Sequence, residues 1–115
     1  MKVYRLIVGF SSLFVFISCD IPMIANEISA FGNVHSTERL HLVHVSLPQG
    51  KSVPAHDHPG VDVYFTLVRG EVKTILDGQE EHHLTPGSVL SFPGEPTISI
   101  EALVDSEFFV YLIKR

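Results

Sequence analysis

From Arg39 onward the chain is written in short runs of alternating apolar and polar residues, each stopped by proline, glycine or an Asp/Ser break, and this punctuation predicts strands. Residues 40–47 alternate and are closed by Pro48-Gln49-Gly50. Residues 61–68 put Val61, Val63, Phe65 and Leu67 on one face, the natural core face, and Asp62, Tyr64, Thr66 and Val68 on the other. Gly70 opens a hairpin into 71–76, Asp77-Gly78 is the strongest two-residue turn signal in the chain, and 79–84 form the return strand. After the turn at Pro86-Gly87, residues 88–92, 97–101 and 107–113 complete the set. Short strands at this spacing, with almost no helical period, predict an all-β barrel or sandwich.

Chemistry concentrates between Gly50 and Gly70. His56 and His58 are two residues apart in an extended run, and strand side chains repeat with period two, so both imidazoles can reach one metal ion or ligand. Gly50, five residues, His56-Asp57-His58, a polar strand and a closing Gly70 together resemble the first motif of the cupin superfamily. A second motif of that family, a Pro-Gly turn, a strand and a Pro-Gly-x-Pro ending, is visible as Thr85-Pro86-Gly87-Ser88-Val89-Leu90-Ser91-Phe92-Pro93-Gly94-Glu95-Pro96-Thr97. The resemblance covers roughly 39–113 and implies a single jelly-roll, cupin-type double-stranded β-barrel. It also implies a divalent metal held by the two histidines, a glutamate five residues after the second, and a third histidine ending the second motif. Here Val63 stands at the glutamate position, Asp62 is one residue off register and so turned to the opposite face, and Thr97 stands at the third histidine.

Length and composition bound the rest. A chain of 115 residues with 45% hydrophobic content supports one domain around one core. A net charge of −5 with 8 basic residues lacks the footprint of a nucleic-acid binder. Cys19 is the one cysteine, so no intramolecular disulfide forms. Lys2 and Arg5 followed by the uncharged run 6–18 have the layout of a secretory leader, too short for a comfortable membrane span. Ser18-Cys19 resembles a bacterial lipoprotein processing site. The expectation is an exported chain, anchored to a membrane through lipidated Cys19 in the periplasm or at the cell surface; the alternative is a cytoplasmic chain in which this run is a buried strand. The chain divides into the hydrophobic leader at 1–18, a linker or arm at 19–38 whose apolar residues cover a sheet face or edge, and the barrel at 39–115.

Three functional readings stay open. In the first, a ligand pocket with a weak or absent metal site uses His56, His58, Tyr64 and Thr97 to hold a small molecule. In the second, His56 and His58 bind zinc, iron, manganese or nickel in an isomerase or dioxygenase, with Asp62 joining only if a bulge before Val63 rotates it inward. The third is an interaction role as a homodimer through sheet edges and faces. His41 and His44 fall on opposite faces of their strand, so only one of them can face the interior, and neither is assigned a role. His82 and His83 lie on the return strand, with nothing in the sequence to place them beside His56. Nucleophile chemistry has no support: Cys19 lacks a neighbouring base, and no serine sits in a Gly-x-Ser-x-Gly turn.

Overall fold

The computed structural model describes residues 24–115, so the leader and Cys19, on which the export and anchoring expectations rest, lie outside the described residues. Those residues form β1 (Gly32–Ser36), β2 (Leu40–Leu47), β3 (Ser52–His56), β4 (Val61–Arg69), β5 (Val72–Leu76), β6 (Glu80–Leu84), β7 (Val89–Pro93), β8 (Ile98–Ala102) and β9 (Ser106–Lys114). They assemble into two antiparallel sheets, ordered β1-β2-β9-β4-β7 and β3-β8-β5-β6. The all-β architecture follows the alternation read from the sequence. Two strands lie outside the alternating runs: β3 is the extended run that carries His56, and β1 is a short strand of the 19–38 arm that pairs with the edge of β2.

The core lies between the sheets. Val63, Phe65 and Leu67 are buried on the expected face of β4, and Phe65 stacks on Phe108 with ring centroids 4.5 Å apart at 25°. Val72, Ile98, Ile100 and Ala102 close over them from the smaller sheet. Each large apolar side chain buried this way contributes about 1.5–3 kcal/mol. Gly70 has φ +93, and a Cβ there would stand 2.3 Å from Ser106 Oγ, so the turn after β4 admits only glycine.

The outer face of the larger sheet is partly covered by the arm. His44, 4% exposed, is stacked between Phe31 and Phe109, with centroids 4.2 and 4.1 Å away. Its Nδ1–H donates to the Ala30 carbonyl at 2.8 Å and its Nε2–H to Glu107 Oε2 at 2.6 Å. The hydrogen bond from His44, reinforced by Arg69 3.3 Å from Glu107 Oε1, holds the Glu107 carboxyl below the usual carboxylate range.

Candidate ligand site at the barrel mouth

A bulge in β3 sets the position of His56. Cross-strand partners run Ser52–Glu101, Val53–Ile100 and then His56–Ile98, three steps on β3 against two on β8. The extra residue falls at Pro54-Ala55, where proline has no N–H to lose from the ladder. Without the bulge, residues 53 and 56 would face opposite ways. With it, His56 shares the inner face with Val53, opposite the buried Ile98. The Pro54 carbonyl accepts from His56 Nδ1–H at 2.9 Å, which leaves Nε2 with its lone pair.

His58 lies beyond the strand, so loop geometry brings it to His56 rather than a shared strand face. Its N–H donates to the Gly94 carbonyl at 2.8 Å, and the Gly94 N–H donates to the Val61 carbonyl at 2.9 Å. Gly60 N–H donates to Glu95 Oε2 at 3.0 Å, and the Arg115 N–H donates to the Gly60 carbonyl at 3.2 Å. Glu95 also takes the Arg115 guanidinium, and the Gly60 amide is the main reason its carboxyl sits below its usual range. The two Pro/Gly-rich motifs thus meet as a backbone clasp.

Within that clasp the rings of His56 and His58 meet edge to face, centroids 4.7 Å apart at 87°. The His58 imidazole is held below the ordinary histidine value, first by burial and then by His56; Asp57 opposes this and His41 adds to it. His41 therefore faces the same interior as the pair without joining it in a group of three donors placed to hold an ion. It pairs across β2–β9 with Leu112, which pairs in turn with buried Val63, placing His41 on the inner face and His44 on the outer. Its Nδ1 lies 3.0 Å from Ser36 Oγ. The sequence did carry a signal for it, the opposite strand phase of His41 and His44, but nothing there said which phase faces inward.

The other expected site residues are not brought to this pair. β4 runs in unbroken register from Val61 to Leu67, without the bulge that would rotate Asp62 inward. Val63 keeps the inner face, and Asp62 lies on the outer one, 3.7 Å from Arg115 Nε. Tyr64 is also on the outer face, between Ser91 and Tyr111 and 42% exposed. Thr97 is engaged through its backbone: its N–H donates to Asp77 Oδ1 at 3.0 Å, and its carbonyl accepts from Asp77 N–H at 2.9 Å. β6 lies at the opposite edge of its sheet from β3, and there His82 and His83 pair with Glu80 and Glu71, each at 2.6 Å.

This donor set does not fit the metal centre that the resemblance implies. Among the described residues no group of three His, Cys, Asp or Glu side chains is placed to hold an ion. Two imidazoles with a valine at the acid position fall short of the three protein ligands that most catalytic centres use.

Two antiparallel sheets closed over one core, with a histidine pair clasped at one end, define a small double-stranded β-helix protein. The family model described as the cupin domain matches residues 43–96, a little under half of the chain, and the fold and this match together support a cupin superfamily protein. An uncharacterized protein of Methanocaldococcus jannaschii is 29% identical over 77 residues, 65% of this chain and just under two thirds (66%) of its own length. The crystal structure of that protein, an RmlC-like cupin family protein with a double-stranded β-helix fold, superposes with a TM-score of 0.69 at 24% identity, covering 81% of this chain and 94% of the other. KdgF from Halomonas sp. gives a TM-score of 0.65 at 27% identity, covering 72% and 77%. A predicted oxalate decarboxylase of Thermotoga maritima gives 0.66 at 24%, with the same coverages of 72% and 77%.

Proposed function

We propose that this cupin binds a small organic molecule, sugar-like in its hydroxyl content, at the barrel mouth, with His56 and His58 as hydrogen-bonding groups and no tightly held metal. The observation that carries this reading is the edge-to-face imidazole pair, fixed by backbone hydrogen bonds beside Ile98, with Val63 in place of an acid. A neutral imidazole offers one donor and one acceptor, which suits hydroxyl and carbonyl groups, and an apolar surround excludes water from them. The test is an NMR titration with a panel of hexoses and uronic acids before and after EDTA. Binding that survives EDTA and is lost in His56→Ala and His58→Ala supports the reading; binding abolished by EDTA overturns it.

A second reading, a metal-dependent enzyme of isomerase or dioxygenase type, draws on one feature. The His56 Nδ1–H is fixed on a backbone carbonyl, as the second nitrogen of metal-ligating histidines commonly is. Stoichiometric metal in the purified chain, lost together in His56→Ala and His58→Ala, would favour it. Exposed Tyr64, Val68, Val89 and Ile113 on the larger sheet support a homodimer, which light scattering tests. The leader layout and Cys19 support export and lipid anchoring, which the intact mass of the mature chain tests.

A further inference from the structure

The sheet order joins the two sheets by no ladder, and one of the seams this leaves lies between β6 and β7. β6 pairs only with β5 and β7 only with β4, so the edge strands of the two sheets, though consecutive in sequence, exchange no strand hydrogen bonds. A cavity of about 480 Å³ opens there. Its apolar part is made by Leu76, Leu90, Phe92 and Pro96, and its polar side by Asp77 and Glu80 with His82. Drug-sized ligands occupy pockets of about 300–1,000 Å³. The depressions beside Tyr64 and beside Lys73, about 270 and 260 Å³, fall below that range.

The charge of the seam has one sign. It is lined by two carboxylates, a histidine bound to one of them, and no lysine or arginine. Both carboxylates are held in place. Glu80 Oε2 accepts from His82 Nε2–H at 2.6 Å, which leaves Oε1 open. Asp77 sits at φ +51 in a turn closed by its own N–H to the Thr97 carbonyl, and its Oδ1 accepts from Thr97 N–H at 3.0 Å, which leaves Oδ2 open. Thr97, expected to touch the ligand at the histidine pair, instead anchors this turn through its backbone.

We propose that the seam binds a small amphipathic organic cation. The ammonium group lies at the open oxygens of Asp77 and Glu80, and the apolar body lies on Leu90, Phe92 and Pro96. None of His41, His56 or His58 lines the cavity, and β6 is separated from β3 by two strands, so this site stands or falls independently of the histidine mouth.

The test is an ¹H–¹⁵N NMR titration of the full chain at pH 7 and low salt, using phenethylamine and, as its anionic counterpart, 3-phenylpropionate. The expected result is saturable shifts within residues 76–82 and 90–96 for the amine, with affinity about tenfold or more above that for the carboxylate. Glu80→Gln and Asp77→Asn each weaken the amine by about fivefold, the Coulomb contribution of one exposed contact, and asparagine keeps the left-handed turn. A His56→Ala/His58→Ala double variant binds the amine as the unmodified chain does. Equal binding of amine and carboxylate, shifts centred on 56–58, or no saturation by about 10 mM would overturn the proposal.

Discussion

The backbone N–H of His58 donates to the Gly94 carbonyl over 2.8 Å, while the Gly94 N–H donates to Val61 over 2.9 Å, so one glycine of the second motif holds both ends of the turn that carries the histidine of the first. The link is main chain to main chain, and the position of His58 is therefore set without reference to any ligand. The bulge at Pro54-Ala55 does the same for His56. A site preorganised by backbone in this way loses little conformational entropy when it binds.

Gly94→Ala tests the clasp directly. A Cβ at residue 94 would stand 1.9 Å from the His58 carbonyl oxygen and 2.9 Å from that of Val61, both backbone atoms that cannot swing aside. Opening the turn to make room costs about 1–3 kcal/mol. The variant is expected to melt lower and to shift the amide resonances of residues 56–61 while leaving those of β5 and β6 in place. Unchanged resonances at 56–61 would mean that the turn is held by something else.

His58 makes stability depend on pH with a sign opposite to that of most histidines that gain a partner. Burial, and next His56, hold its folded value below the ordinary one. Between those two values the unfolded chain binds more protons than the folded one, so stability rises with pH there. Above the ordinary histidine range the term vanishes; as pH falls through that range stability is lost, and the loss levels off once the folded ring protonates. Urea midpoints measured from pH 8 to pH 5 should fall less steeply in His58→Asn than in the unmodified chain. His56→Ala removes the second cause and should raise the His58 value in a ring-proton titration. An equal or steeper slope in His58→Asn contradicts the assignment.

The alternation from residue 40 onward marked β2 and β4 to β9 nearly to the residue, because apolar and polar residues in these runs follow a period of two between clear turn signals. β3 escaped that reading for the same reason: Pro54 and the bulge break its phase, and Ser52 and Ala55 are exposed. The pairing of His56 with His58 was legible, though its cause was not, since His58 is placed by Gly94, far along the chain in the second motif. The absence of Asp62 from the mouth was also legible as an offset of one residue, and the unbroken register of β4 keeps that offset. What could not be read was any partner chosen by tertiary contact: Ser36 on His41, Phe31 on His44, and the carboxylates gathered at the β6–β7 seam.

His44 is expected to be the most sensitive polar position of the larger sheet. His44→Ala removes two stacked contacts and two hydrogen bonds from a buried site, a loss of about 2–4 kcal/mol. His44→Phe keeps the stacking but leaves the Ala30 carbonyl and Glu107 without their donor, so it should fall between the two in denaturant unfolding. The Glu107 carboxylate adds stability that is fully present above the ordinary carboxylate value and is lost as pH falls through its lower folded value. Glu107→Gln should remove that acid limb. An alanine variant as stable as the unmodified chain would show that the arm does not depend on this ring.

Val63→Glu asks whether one side chain accounts for the poor donor set. Residue 63 is 2% exposed on the inner face, in the same cross-strand row as His41 through Leu112, and is the position the family uses for its acid. A carboxyl placed there without metal is buried without a partner, at a cost of about 1–3 kcal/mol, so the variant should melt below the unmodified chain in EDTA. With zinc or nickel the ion binds only the folded state, and at about 100 times its dissociation constant it returns roughly 2.7 kcal/mol. The expected pattern is a large metal-dependent rise in melting temperature for Val63→Glu and a small one for the unmodified chain. Asp62→Ala serves as the control: it removes only an exposed contact with Arg115, costs under about 1 kcal/mol, and leaves the metal response unchanged. A metal-induced rise equally large in the unmodified chain would show that His56 and His58 find further donors without an acid at position 63, and the weak-metal reading would fail with it.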